Sequence, residues 1–202
     1  MAKVEFFYDY SSPWTYLAYT KIHGICQKYG ATLEWRPILV GGVFNTVNPS
    51  VYEFRERGVP AKTKYSAKDL QDWARFYGIT ILSPTVFPVN SVKALRGALV
   101  AFEHPETFLR YSQRVFESYW GEDKDISKDE VMRVIVEEAG LNAQEFFEKI
   151  NRQEYKDRIR VNTDELMARG GYGTPTIFVN GLMFFGNDRL VLVEEELRRA
   201  GK

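Results

Sequence analysis

Two hydroxyls three positions apart, Ser12 and Thr15, stand in the run Ser11-Ser12-Pro13-Trp14-Thr15. A side-chain hydroxyl titrates far above neutrality and is a poor nucleophile without an adjacent base. No histidine lies near this run in the sequence. The economical role for such a hydroxyl is to donate a hydrogen bond to an anion, a thiolate above all, brought by another molecule. A helix starting at Pro13 assists, because its N-terminus favours negative charge by about 0.3–1 kcal/mol, and each pKa unit of acidification takes about 1.4 kcal/mol. Helix and hydroxyl together reach about one to two units. The plainer alternative is that Ser12 only caps the helix.

A second feature is Gly171-Tyr172-Gly173-Thr174-Pro175, where an X-Pro bond at the mouth of a strand offers the backbone of residue 174. These glycines lack the spacing of a nucleotide-phosphate loop. His23 and Cys26, three apart, give at most two ligands of a metal site, so a structural placement is the reading and no metal is expected. Trp14, Tyr16 and Trp120 suit either an aromatic pocket or the core. Cys26 is the only cysteine, which excludes an intramolecular disulfide and any dithiol redox pair within one chain. With 27 basic and 27 acidic residues in 202, the chain lacks the electrostatic footprint of a dedicated nucleic-acid binder. The start runs directly into a strand-like segment, and no apolar run approaches the roughly 18 residues of a membrane span. A soluble cytoplasmic protein with no nucleic-acid or membrane partner is expected.

The elements that must position these groups follow from pattern. Val4 to Tyr8 reads as a buried strand ending in a turn. Ser12 caps a helix whose first position suits Pro13 and whose stop is Gly30. Thr32 to Ile38 alternates as a second strand, with Pro37 forcing an edge or an end. From Leu39 a loop rich in Gly, Asn and Pro runs to about Tyr65, followed by helices introduced by Ser66 and Ser91, a helical stretch from Phe108 to Trp120, and two capping-box spacings, Ser127 with Glu130 and Asn142 with Glu145. Thr176 to Val179 and Leu182 to Phe185 flank Asn180-Gly181, a strong hairpin signal, and an amphipathic helix closes the chain. The order βαβ, helices, ββα predicts an α/β, thioredoxin-like fold interrupted by a large all-helical insertion, residues 1–40 and 171–202 forming the first domain and 41–170 the second. Ligands gather where strands end and helices begin. In thioredoxin-like proteins that place carries CxxC, and Ser12 and Thr15 stand at the two cysteine positions.

Several segments, in order, resemble the 2-hydroxychromene-2-carboxylate isomerase family, relatives of kappa-class glutathione transferases and, more distantly, of DsbA oxidoreductases. They are Tyr8 to Ala18, Lys62-Thr63-Lys64-Tyr65, Asp69 to Arg75, Phe87-Pro88-Val89-Asn90, Trp120-Gly121-Glu122, Gly173-Thr174-Pro175-Thr176 and Phe185 to Leu190. The resemblance implies that Ser12 is the catalytic residue facing the sulfur of bound glutathione. It implies that Thr174, before a cis-Pro175, offers its backbone to the cysteinyl part, and that Asn187 and Asp188 hold the γ-glutamyl end. It places Lys62, with Lys64 as a second candidate, near the glycyl carboxylate. Asn48 matches a polar contact from a Gly-Asn loop, although this chain reads Val47-Asn48-Pro49 without the glycine. Trp14, Asn90 and Trp120 are candidates for the substrate side, and Arg96 or Lys93 for its carboxylate by position alone.

The implied activity is glutathione-dependent isomerisation of an aromatic-degradation carboxylate, interconverting 2-hydroxychromene-2-carboxylate and trans-o-hydroxybenzylidenepyruvate. A conjugated double bond rotates only while it is transiently single, and reversible thiolate addition makes it so; the nucleophile is borrowed from glutathione. Two rivals stand beside this reading: a kappa-like transferase that conjugates small electrophiles, and a non-catalytic module that binds an extended peptide beside Pro175. Relatives imply a homodimer.

Overall fold

The computed structural model describes residues 1–201. Four strands form one mixed sheet in the order β2-β1-β3-β4. Central β1 (Lys3–Tyr8) runs parallel to β2 (Thr32–Pro37) and antiparallel to β3 (Thr176–Val179), which pairs antiparallel with β4 (Leu182–Phe185). Helices cover both faces of β1, so its residues are buried almost without interruption. Alternation still sorts them: Val4, Phe6 and Tyr8 enter the main core, while Phe7 joins Ile38, Val43, Leu166 and Phe178 on the opposite face. Pro37 ends an edge strand, where its missing N–H costs no ladder bond. Asn180 and Gly181 take positive φ of 49° and 89°, which closes the β3–β4 hairpin.

Helix α1 (Pro13–Lys28) starts as its sequence requires, with Ser12 as N-cap and Pro13 in the first turn. The segment from Leu39 to Tyr65 departs from the loop expected of it. It forms α2 (Val40–Val47), α3 (Ser50–Arg57) and the first turns of α4 (Pro60–Tyr77). Its glycines and prolines punctuate short helices, and Pro60 sits where a proline is tolerated, in a first turn. Then come α5 (Val92–Ala101), α6 (Pro105–Phe116), α7 (Asp129–Glu138), α8 (Ala143–Lys149), α9 (Gln153–Ala168) and, after the hairpin, α10 (Leu190–Ala200). Asn142 caps α8 by accepting from the Glu145 N–H at 2.9 Å. The matching box at Ser127 does not form: α7 begins after Lys128, and the Ser127 N–H is taken by Asp125 Oδ1 at 2.9 Å in a turn of its own. Residues Glu117–Gly121 extend α6 as a π-helical turn.

One hydrophobic core runs through the sheet half and the helical half alike. Aromatic rings carry it across. Tyr16 of α1 stacks on Phe116 of α6 at 5.0 Å, Tyr10 meets the same ring at 4.8 Å, and Trp35 of β2 meets Phe108 at 5.2 Å. Among the described residues no helix is long and apolar enough to cross a membrane.

Candidate active site

Where β1 ends and α1 begins, a cleft of about 760 Å³ opens between the Ser11–Trp14 turn, α2 with α3, the Phe87–Val92 segment and the Tyr172–Thr174 loop. Ser12 forms part of its wall. The Ser12 Oγ accepts the Thr15 N–H at 3.2 Å, the capping bond, and its proton points across the cleft to the Thr174 carbonyl at 3.4 Å. A hydroxyl has one donor and two lone pairs, so capping and donating are compatible. The geometry therefore accommodates both roles in one side chain. Thr15, at the second cysteine position, is fully buried, and its hydroxyl has no partner.

The Thr174–Pro175 peptide is cis, as is Phe87–Pro88 on the opposite wall. Strand β3 begins only at Thr176, and no hydrogen bond is formed by the Thr174 N–H among the described residues. That backbone is open to an extended ligand. Beside it a second groove of about 340 Å³, sharing Trp14, Thr174 and Phe185 with the cleft, runs to Asn187 and Asp188 at the approach to α10. Asn187 is buried with no partner at full hydrogen-bond geometry for its amide Nδ2, the Tyr77 hydroxyl lying beside it, and the Thr174 hydroxyl is buried and unpartnered. Asp188 is held by Arg189 at 2.5 Å.

The structure thus gathers Ser12, Trp14, Asn48, Asn90, Thr174, Pro175, Asn187 and Asp188 around two joined cavities. Asn48 ends α2, where its Nδ2 donates to the Tyr172 carbonyl at 3.0 Å and its Oδ1 accepts from Ser50 at 2.7 Å. Lys62 and Lys64 are exposed on α4 and line neither cavity. Lys62 lies four, seven and eleven residues before Ser66, Asp69 and Trp73, which do line them, so it shares their helix face; Lys64 is turned away by roughly 200°.

The structure does not bring Trp120, Arg96 or Lys93 to the lining of either cavity. Trp120 is only 2% exposed and is a core residue: the π turn carries it inward, and its indole N–H donates to the Tyr10 carbonyl at 2.9 Å. Arg96 sits one turn beyond Val92, on nearly the same face of α5, and the rise of that turn carries it to a different cleft. Lys93 is occupied by Asp129 at 2.5 Å and the Ser127 carbonyl at 2.9 Å. The lone thiol of Cys26 is packed inside α1, and burial pushes it up to about 12, so it is inert.

Sequence reasoning passed over Asp9, Asp69 and Trp73. Asp9 is fully buried at the cleft floor. Its Oδ1 accepts from the Ser11 N–H and hydroxyl, each at 2.9 Å, its Oδ2 from the Val40 N–H at 2.9 Å, and the Ser91 hydroxyl lies beside it. Leu39, the N-cap of α2, has no capping side chain, so Asp9 supplies that function from another element. Burial raises the Asp9 carboxyl above its ordinary range, against the pull of these donors. The heptad spacing from Lys62 to Asp69 was the available signal for the α4 residues; for Asp9 there was none.

A hydroxyl aimed across an apolar-walled cleft, beside an open strand-like backbone and above a helix N-terminus, can orient and stabilise an anion bound there. Residues 3–198 match the DSBA-like thioredoxin domain. The 2-hydroxychromene-2-carboxylate isomerase of Pseudomonas putida is 29% identical over 200 residues, covering 97% of this chain and 94% of that protein. The human glutathione S-transferase kappa 1 is 27% identical over 94% of this chain and 88% of its own. A solved 2-hydroxychromene-2-carboxylate isomerase superposes with a TM-score of 0.83 at 28% identity, over 98% of this chain and 95% of the other. A probable DsbA oxidoreductase from Streptomyces coelicolor shares the fold at 16% identity, with a TM-score of 0.79 over 99% of this chain and 90% of its own. With a match along nearly its whole length and a fold that agrees, the chain belongs to the family of DSBA-like thioredoxin domains.

Proposed function

We propose that the protein is a glutathione-dependent isomerase of a small aromatic carboxylate, of the 2-hydroxychromene-2-carboxylate type. The observation that carries this reading is the Ser12 hydroxyl, at the first of the fold's two redox positions, facing the open Thr174 backbone across an aromatic-walled cleft. The residues present fit the tripeptide. Thr174 N–H and C=O suit its cysteinyl backbone as an added strand would. The buried Asn187 amide suits its γ-glutamyl carboxylate, and Asp188, with Asp69 across the same groove, suits the ammonium. Lys62, outside both cavities but one turn before Ser66 on the same helix face, is the cation proposed for the glycyl carboxylate.

When bound, glutathione supplies a thiol whose anion adds reversibly to a conjugated carbon and frees the adjacent bond to rotate. Ser12 lowers the cost of that anion by donating a hydrogen bond to it, and the N-terminus of α1 adds its partial positive charge. Trp14, Phe87 and Phe185 give the remaining volume an apolar lining that excludes water and accepts a ring. Asn90 stands on the same wall, although its Oδ1 already accepts the Val92 N–H at 3.1 Å, which leaves its amide protons for a ligand.

Calorimetry with glutathione followed by turnover of 2-hydroxychromene-2-carboxylate tests the proposal. Binding in the micromolar to millimolar range, with isomer equilibrium reached and glutathione unconsumed, is expected. Stoichiometric loss of glutathione onto an electrophile would identify instead the transferase to which the kappa relatives correspond. No heat of binding at millimolar glutathione would refute both, and leave the peptide-binding module.

A further inference from the structure

Behind the wall formed by Leu39 and Val92, on the far side from Ser12, lies a separate cleft of about 260 Å³ between α2, α5 and α9. Its apolar surface comes from Leu39, Val92, Ile159 and Met167. Of the three cations that line it, two are half-buried, Arg96 from α5 and Lys156 from α9. Neither has a hydrogen-bond or ion-pair partner among the described residues, in a molecule where most other buried or half-buried cations do. Arg36 and Arg169 share Glu5 and Glu165, Arg114 meets three glutamates, and Lys149 is held by Glu103 and Glu145. At the rim, Asp164 is paired to Arg160, which also binds Asp157, so the one carboxylate lining the cleft is already shared with a cation. A guanidinium taken partly out of water without a counter-ion is unfavourable, and desolvation lowers the Arg96 pKa accordingly. An anion in the cleft would offset that cost.

We infer that this cleft is a second ligand site, for a small monocarboxylate with an apolar body, an aromatic or branched acid, whose carboxylate Arg96 and Lys156 receive and whose ring or chain rests on Leu39, Ile159 and Met167. The volume is smaller than the roughly 300–1,000 Å³ of sites for drug-sized molecules, which limits the occupant to one ring or a short branched chain with its head group. The planar fork of arginine matches a carboxylate, and the apolar floor rewards a hydrocarbon body that a bare inorganic anion does not have. The site needs neither Ser12 nor glutathione, so it stands or falls apart from the proposed activity.

Benzoate is the probe, followed by calorimetry and by the methyl resonances of the four methionines in protein labelled at those methyl groups. Saturable binding is expected, with the Met167 methyl moving and those of Met132 and Met183 staying in place. Arg96→Gln and Lys156→Gln should each weaken benzoate by about tenfold or more, the scale of one lost charge-assisted contact. Benzyl alcohol, the uncharged isostere, and inorganic phosphate, the anion without a hydrocarbon body, should leave Met167 unmoved. Lys156 lies near the surface, so its variant keeps the test sound if the arginine change disturbs folding. The inference is overturned if benzoate leaves the Met167 methyl unmoved, if phosphate moves it equally, or if folded Lys156→Gln binds benzoate as the parent does.

Discussion

At the scale of single residues, Ser12 carries two loads that one substitution separates. Ser12→Ala removes an N-cap, which costs about 1 kcal/mol of stability, and removes the proton donated into the cleft. The variant should therefore fold, bind glutathione within a few-fold of the parent, and lose both the ultraviolet absorbance of bound thiolate and most turnover. Thiolate absorbance and rate equal to those of the parent would reduce Ser12 to a cap. The serine itself was legible because its signals are local: a hydroxyl, a proline and an apolar helix face within a few positions. Asp9 was not. Nothing in Tyr8-Asp9-Tyr10 announces that Val40 and Ser91, from two distant elements, will close around that carboxylate.

At the scale of elements, α2 depends on that carboxylate for its start, and α2 carries Asn48 at its far end. Asp9→Asn presents an amide donor or a displaced oxygen to the Val40 N–H, and a buried N–H left without an acceptor costs roughly 1–3 kcal/mol. Amide exchange at Val40 should accelerate by tenfold or more while the β1–β3 ladder stays protected; equal protection of Val40 in both proteins would remove Asp9 from that role. The short helices from Val40 to the start of α4 were misread for a physical reason. Isolated helices of eight residues are marginal, and their stability comes from packing against other elements, which periodicity does not display. Glycine and proline in such a stretch mark the joints between helices as readily as they mark a loop. Strands and hairpin were read correctly because alternation and Asn-Gly chemistry are settled within a few residues.

At the scale of the whole molecule, the sheet and the helical half are joined by charge as well as by aromatic rings. Glu5, on the central strand, receives Arg169 of the loop following α9 at 2.8 Å and Arg36 of β2 at 3.2 Å. The hydrogen bond from Arg169 is the chief cause that holds its carboxyl down, from 4.5 to about 2, against the opposing effect of burial. A folded-state pKa below the unfolded one stabilises the fold above the unfolded value, and that stabilisation is lost as pH falls toward the folded one. The contribution is on the order of 3 kcal/mol, fully present at pH 7 and fading between about pH 4.5 and 2. Denaturant unfolding of Glu5→Gln should show lower stability at pH 7 and a shallower loss through that window; an unaltered pH slope would place the acid sensitivity elsewhere. The joined core and this ion cluster explain why the interrupted order of elements was readable from sequence while the meeting of its two halves was not.

The Ser12 proton already has an acceptor in the Thr174 carbonyl, across 162 residues of chain. Any group that takes this hydrogen bond must therefore replace the Thr174 carbonyl as its acceptor. A neutral sulfur accepts more weakly than an amide oxygen and gains little by the exchange, whereas an anionic one gains a charge-assisted bond. The hydroxyl thus adds little adhesion and acts mainly as a discriminator of protonation state.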